Sequence, residues 1–358
     1  MTRPVEHAQA FCRRFDLRVP VLLAPMAGAC PPELSAAVAN AGGLGACGAL
    51  LMQPYEIASW TIAVRAQSNG GFQINLWVPD PPPTRALDAE AAVRTFLARW
   101  GPPVAPEAGD ATPPDFAAQC EAVLAARPNV ISSIMGLLPP EVVARAKAAG
   151  IAWFATVTTV AEARAAEAAG ADAVVAQGAE AGGHRGSFNA DAAERALVGT
   201  FALVPAVADA VEVPVIAAGG IADARGTAAA LVLGASAVQV GSGFLRCPEA
   251  GIHPAWTDAL AKAAAEDTVL TRVFSGRAGR SLATAFVRAA FAPETPRPAP
   301  YPVQRALTMA MRSEAHGAGD LDRMQAWAGQ ASALASGALA SDYVEQLWSG
   351  AHELLGTA

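Results

Sequence analysis

The residues with the clearest chemical content lie between Ala176 and Gly186, where the chain reads AQGAEAGGHRG. An apolar stretch, Ala173 to Ala176, precedes this run and reads as a buried strand. His184 is therefore expected in a glycine-rich loop at a strand's C-terminal end. Glycine permits positive φ and lets backbone approach a ligand closely. A histidine exchanges protons near neutral pH. Together they point to a proton-handling group beside a bound cofactor. Glu180 is a candidate to orient the imidazole and equally a candidate partner for Arg185. A lone histidine is more commonly a loop residue bonded to backbone, but the flanking glycines and the strand-end position favour acid–base work here.

His7, His253, His316 and His352 fall near the chain ends or in the tail, outside any such motif. No second His or Cys stands near His184 at ligand spacing, so zinc is disfavoured and no metal site is expected. A serine hydrolase would need a GxSxG elbow, which is absent, and Ser187 lacks that turn context.

Two further glycine groups follow apolar strands. Val215 to Ala218 runs into Gly219-Gly220-Ile221, and Val238-Gln239-Val240 runs into Gly241-Ser242-Gly243. Each alone reads as a tight turn. Placed after the seventh and eighth strands of a barrel, they form the usual phosphate cradle, with backbone N–H groups exposed to the ligand. Neither matches GxxxxGK[ST]. The first strand is followed by Ala24-Pro25-Met26-Ala27-Gly28 rather than GxGxxG, so a dinucleotide in a Rossmann crevice is disfavoured. Asn75, Gln177 and Gln239 lie in or at the end of three separate strands. Amides donate and accept at once, which suits a ring with both kinds of group, such as the pyrimidine edge of a flavin.

The elements that must position these groups alternate strand and helix. Strands are expected at Val21–Pro25, Gly43–Ala49, Phe72–Trp77, Val130–Met135, Ala152–Val157, Ala173–Gln177, Val213–Ala218 and Ala237–Val240. Alanine-rich helices lie between them. Eight buried strands with intervening helices predict a parallel α/β sheet closed as a (β/α)8 TIM barrel. Prolines 79, 81, 82 and 83, and a second irregular stretch from Pro102 to Pro114, mark residues 79–114 as an insertion after strand three. After Cys247 the pattern turns helical, with helices expected at Asp258–Glu266, Gly279–Ala290, Val303–Arg312 and Tyr343–Leu355, and an extended proline-rich connector at Phe291–Pro302. The expected organisation is a barrel over 1–246 and a helical capping region over 247–358, part of which packs back on the barrel.

Composition bounds the function classes. The 358 residues are 53% hydrophobic and 16% charged, with net charge -7. A large core is possible and disorder is disfavoured. No basic run interleaves with aromatics, which argues against nucleic acid. Five scattered cysteines without a CxxC pair read as reduced thiols in a cytoplasmic protein. The N-terminus lacks the apolar core of a signal peptide. Thr227 to Leu245 is uncharged and long enough to consider as a membrane span. Its glycines and polar residues favour a buried helix followed by a short strand.

Ala24 to Gly28, Gln73 to Trp77, Ala176 to Gly186, Pro214 to Ile221, Val238 to Phe244 and Ser275-Gly276-Arg277 resemble the nitronate monooxygenases, formerly grouped as 2-nitropropane dioxygenases. The resemblance covers most of the chain. AEAGGHRG belongs to a wider FMN superfamily that includes the FabK-type enoyl-ACP reductases. The long insert and the run Gly136 to Glu141 look like class I nitronate monooxygenases rather than those reductases. Ser132-Ser133-Ile134-Met135 departs from the family, which often carries aromatics there.

The resemblance implies non-covalent FMN. Pro25 and Met26 would lie against its ring, Asn75 and Gln177 would bond to it, and Gly182 would approach it. Gly219, Gly220, Gln239, Val240, Gly241 and Ser242 would hold the ribityl phosphate. His184 would be the acid/base residue, and Tyr301 the aromatic that reaches the substrate pocket from the tail. The implied activity is oxidative denitrification of alkyl nitronates, such as propionate 3-nitronate, with O2. The implied partners are small molecules, with neither nucleic acid nor membrane, in a monomer or homodimer. Rival expectations are an NAD(P)H-dependent FMN reductase of an enoyl thioester or quinone, and a non-catalytic flavin-binding protein.

Overall fold

A computed structural model describes residues 4–356. Nine strands precede the tail: β1 (Val21–Leu23), β2 (Gly45–Gly48), β3 (Phe72–Trp77), β4 (Val130–Ile134), β5 (Ala152–Val157), β6 (Ala173–Gln177), β7 (Gly183–His184), β8 (Val215–Ala218) and β9 (Ala237–Val240). All but β7 form one parallel sheet in the order β1-β9-β8-β6-β5-β4-β3-β2. The two ends of that order meet through Leu44. Leu23 N donates to Leu44 O at 2.9 Å, and Leu44 N donates to Val21 O at 3.1 Å. This is a (β/α)8 barrel, as the strand count predicts.

The strands form where apolar runs can be buried on both faces. β3, β6, β8 and β9 are buried throughout. Polar side chains start the intervening helices at defined points. Asp115 accepts from Ala117 N and Ala118 N ahead of Phe116–Ala126, Thr159 accepts from Glu162 N ahead of Val160–Ala168, and Asp223 accepts from Gly226 N ahead of Ala224–Val232. One end of the barrel is plugged. Phe11, from the helix Pro4–Phe15, packs among Leu22, Leu44, Val130, Phe154 and Ala173. These lie towards the starts of the strands, so the other end, where the strands finish, is the one left to open.

The insertion and the tail are built together. Val93, Phe96 and Leu97 of the insertion helix Leu87–Leu97 share a second core with Phe274, Phe286, Val303, Leu307 and Met311 of the tail. At the chain's end the helix Ala340–Leu354 returns to the barrel, packing on Ala224–Val232 and Pro32–Asn40. Tyr343 Oη there donates to Ala222 O at 2.7 Å.

The tail is less helical than its sequence predicts. Strands β10 (Thr268–Thr271) and β11 (Gly279–Leu282) pair antiparallel, and β11 pairs antiparallel with β7. Gly279 faces His184 and Arg280 faces Gly183. The helix expected over Gly279–Ala290 is thus a strand followed by a short helix, Ala285–Ala289. It is held between β10, just upstream, and β7, which is distant in sequence and beyond the reach of a local pattern. Thr227–Leu245 resolves into the end of a helix, then β9 and a short 3-10 turn. Among the described residues no helix is long and apolar enough to cross a membrane. The five cysteines are free and buried.

Candidate active site

A cavity of about 370 Å³ opens at the C-terminal ends of the barrel strands. Its size falls in the usual range for a small-molecule or cofactor pocket. From the barrel it is lined by Pro25, Met26, Asn75, Gln177, Gly182, His184, Gly219, Gly220, Gln239, Gly241 and Ser242. Sequence-predicted residues spread over more than two hundred positions therefore meet at one place.

His184 sits between two indoles. Its ring is 4.8 Å from Trp77, edge-on, and 5.0 Å from Trp327, tilted. Its Nε2 is 2.7 Å from Ser275 Oγ. Ser275 Oγ also donates to Arg277 O at 3.2 Å. A hydroxyl has one proton. With that proton given to the Arg277 carbonyl, Nε2–H of His184 donates to Ser275. That leaves the lone pair on Nδ1. Burial, then the positive charges of Arg305, Arg277 and Arg312, lowers the imidazole's pKa to about 3. The ring is accordingly neutral at pH 7, with a lone pair open to a proton.

Glu180 neither orients His184 nor pairs with Arg185. Its carboxylate accepts from Thr200 N and Thr200 Oγ1, each at 2.9 Å, at the start of the helix Thr200–Ala208. Arg185 donates instead to the carbonyls of Gln177 and Ala196. Gln177 is itself tied to the histidine loop. Its Nε2 donates to His184 O at 3.0 Å, and its Oε1 accepts from Gly186 N at 2.8 Å. This amide fixes where His184 stands and keeps one N–H to spare.

The opposite wall is rich in uncommitted donors. The backbone N–H groups of Gly219, Gly220, Gly241 and Ser242 have no protein acceptor among the described residues. Gly219 and Gly220 have φ of +105° and +72°, a pair of conformations that side chains disfavour. Gly182 is needed for a different reason, since a Cβ there would lie 2.5 Å from Gly329 N and 2.9 Å from Ser242 Oγ. Gln239 Oε1 accepts from Gln73 Nε2 at 3.2 Å, while its amide nitrogen has no protein partner among the described residues. Asn75 Nδ2 donates to Ser132 Oγ at 3.1 Å, and its carbonyl oxygen is left free. The buried indole nitrogens of Trp77 and Trp256, both in residues lining the cavity, also lack acceptors. Buried donors without acceptors are costly, so this cavity is built for a ligand rich in acceptors. A planar heterocycle carrying a phosphate has that composition.

Two predicted residues stand back from the cavity. Val240 is fully buried in β9, with its carbonyl bonded to Ala24 N at 2.8 Å. Tyr301 stacks on Trp77 with centroids 4.9 Å apart, and lines a second cavity with Asp80, Arg272 and Arg277. From the tail, Trp256, Arg305, Arg312, Gln325 and Trp327 line the main cavity, and none of them was singled out in the sequence. Ser275 was visible only as part of the run Ser275-Gly276-Arg277, with no role attached.

Comparison with known proteins now decides the family. A family model described as nitronate monooxygenase matches residues 11–350. This chain belongs to the nitronate monooxygenase family. A curated nitronate monooxygenase from Paraburkholderia phytofirmans is 41% identical over 340 residues, covering 92% of this chain and 91% of the relative. The crystal structure of a nitroalkane oxidase from Streptomyces ansochromogenes is similar at a TM-score of 0.88 and 35% identity, covering 96% of this chain and 99% of that one. FabK from Thermotoga maritima is similar at a TM-score of 0.75 and 29% identity, covering 97% of each chain. As a member of the nitronate monooxygenase family, the protein is an enzyme, a flavin-dependent oxidoreductase.

Proposed function

We propose that the protein catalyses FMN-dependent oxidative denitrification of alkyl nitronates, propionate 3-nitronate among them, with O2 as co-substrate and a carbonyl compound and nitrite as products. One observation carries the proposal: His184 and four residues whose backbone amides have no protein acceptor among the described residues line the same cavity.

The amides of Gly219, Gly220, Gly241 and Ser242 would hold the phosphate of FMN, as glycine turns at these two strand ends do in many barrels. Gln239 would donate with its free amide nitrogen, and Val240 would act only by fixing the turn that follows it. Pro25 and Met26 would lie against the ring. Asn75, through its free carbonyl oxygen, and Gln177, through its spare N–H, would bond to the ring's polar edge. Gly182 would let backbone come close. Bound in this way, the flavin supplies electron acceptance from the nitronate and electron delivery to O2.

His184 Nδ1 would take the proton from the carbon next to the nitro group of a neutral nitroalkane. Ser275 keeps Nε2 protonated and the ring in place. With a preformed nitronate no proton has to move, and the imidazole and nearby guanidinium groups would bind the anion. Trp77 and Trp327, which flank the imidazole, would limit the access of water to it.

The test is O2 consumption by the FMN-loaded protein with propionate 3-nitronate and no nicotinamide. Turnover with nitrite release is expected. FMN-loaded protein that consumes no O2 but is bleached anaerobically by NADPH and reoxidised by an enoyl thioester would instead be a reductase.

A further inference from the structure

A second cavity, of about 430 Å³, neighbours the active site. Trp77 lines the first cavity and Tyr301 the second, and their rings stack with centroids 4.9 Å apart. Four segments meet in the second cavity. The start of the insertion brings Asp80, the loop after β7 brings Asp191, the β10–β11 connection brings Arg272 and Arg277, and the proline-rich connector brings Tyr301. The volume suits a small molecule.

The Arg277 side chain is only 2% exposed. Its Nη2 donates to Ser187 O at 3.0 Å, while Nε and Nη1 are buried without a hydrogen-bond acceptor among the described residues. Asp80 Oδ2 stands 3.4 Å from Nε, near enough for charge attraction and too far for a good hydrogen bond. The partly buried Asp80 carboxylate accepts no hydrogen bond from any described residue either. Burial pushes the Asp80 carboxyl up, Arg277 and Arg272 oppose that shift, and Asp191 adds to it. A cation with donors unspent and an anion with acceptors unspent therefore line one cavity. Withdrawing such groups from water is costly until a partner meets them.

The balance of charge decides the kind of partner. Arg272 is already engaged: it meets Glu194 at 3.0 Å and donates to Gly276 O at 3.1 Å and Ala190 O at 2.6 Å. That leaves Arg277 against Asp80 and Asp191. A simple anion would meet Arg277 but be repelled by both carboxylates, and a simple cation would leave the Arg277 donors unmet. A carboxylate and an ammonium on neighbouring atoms of one molecule answer both. Pro81, Pro83, Phe188 and Pro300 add apolar wall for a side chain. We propose that this cavity binds a free α-amino acid with an apolar side chain, its carboxylate on Arg277 and its ammonium on Asp80. Both contacts are charge-assisted, the stronger class of hydrogen bond. The ligand is a second small molecule, distinct from the nitronate, so the proposal does not rest on the denitrification reading.

L-phenylalanine is the probe. Phenethylamine lacks its carboxylate, and 3-phenylpropionate lacks its ammonium. Isothermal titration of the FMN-loaded protein at neutral pH should show L-phenylalanine binding roughly 10-fold or more tighter than either analogue, as expected for charge-assisted bonds. Asp80→Asn should bring L-phenylalanine and 3-phenylpropionate together while keeping the advantage over phenethylamine. Arg277→Lys should shrink that remaining advantage, and an unchanged unfolding transition shows that its fold is intact. Should Arg277→Lys fail to fold, Asp80→Asn decides alone. His184→Asn, in the main cavity, should leave all three affinities as they are. Absence of L-phenylalanine binding, equal affinities in the parent protein, or a preference over 3-phenylpropionate that survives Asp80→Asn overturns the site. An L-phenylalanine affinity that falls with His184→Asn and not with Asp80→Asn places the probe in the main cavity and overturns it as well. Titration reads binding without turnover. Asp80-dependent binding without O2 consumption on a nitronate keeps this site and removes the denitrification reading, and O2 consumption without L-phenylalanine binding does the reverse.

Discussion

At the scale of single residues, His184 combines two properties that pull against each other. Burial and three nearby guanidinium groups keep its ring neutral, yet a base must accept a proton. Replacement by asparagine separates the roles. His184→Asn should lower kcat/KM about 10²-fold or more on a neutral nitroalkane, in the range of general base catalysis, and far less on its preformed nitronate. Steady-state O2 uptake on both forms of one compound checks this, and equal loss on both would remove the base role. The same burial has a consequence for stability. An unfolded histidine titrates near 6.5 and the folded one near 3. Between these values the unfolded chain binds the extra proton. Stability contributed by the neutral ring is therefore present above about pH 6.5 and lost as pH falls towards 3. The slope approaches at most about 1.4 kcal/mol per pH unit. Urea unfolding of the FMN-free protein at a series of pH values should show this fall, and His184→Asn should flatten it. Ser275→Ala should cut activity on neutral nitroalkanes and shift the acid limb of the pH–rate profile, because the Nε2 proton loses its acceptor.

At the scale of elements, the turn after β8 links fold to chemistry. Two consecutive glycines with positive φ line the cavity, and among the described residues their N–H groups have no protein acceptor. An alanine at Gly219 would place Cβ 3.0 Å from Ala181 N and keep an unfavourable φ. Gly219→Ala should cost about 1–2 kcal/mol of stability and weaken FMN binding, read by urea unfolding and by fluorescence titration. Unchanged FMN affinity would remove this turn from the phosphate cradle. Elements of this kind were legible in the sequence. β3, β5, β6 and β9 occupy the predicted residues because each is an apolar run bounded by turn-forming residues. The glycine groups after β8 and β9 were visible for the same reason, since a positive φ leaves its mark on residue type. The antiparallel sheet was not legible. β10 and β11 are short and lack a continuous apolar run, and β11 is a strand because β10 and β7 flank it. Arg305, Arg312 and Trp327 were equally hidden. Helical periodicity tells which side of a helix is apolar, but not that a tail helix has been folded over the mouth of a barrel. Glu180 shows the converse error, where proximity in sequence to His184 and Arg185 concealed its partner, Thr200.

At the scale of the whole molecule, the cavity belongs to no single segment. Barrel strands provide the glycine turns, and the tail provides Trp256, Arg305, Arg312, Gln325 and Trp327. The insertion and the tail share a core, while the last helix is bonded back to the loop after β8 through Tyr343. The His184 strand is one edge of a sheet whose other strands come from the tail. We therefore propose that barrel and tail unfold as one cooperative unit, despite the change of pattern after Cys247. Cofactor linkage tests this together with the phosphate cradle. A ligand that binds only the folded state at 100 times its Kd adds about 2.7 kcal/mol. With the usual unfolding entropy per residue, a chain of this length should gain about 4 °C in Tm. FMN should produce that shift in a single calorimetric transition. Riboflavin, which lacks the phosphate, should produce a smaller one at the same concentration, because the amides of Gly219, Gly220, Gly241 and Ser242 stay without acceptors. A chain ended after Arg246 would lose the strands that hold His184 and should show no FMN-dependent shift. Equal shifts from FMN and riboflavin would show that the glycine turns do not read the phosphate. Two transitions, with only the first moved by FMN, would show that barrel and tail fold apart.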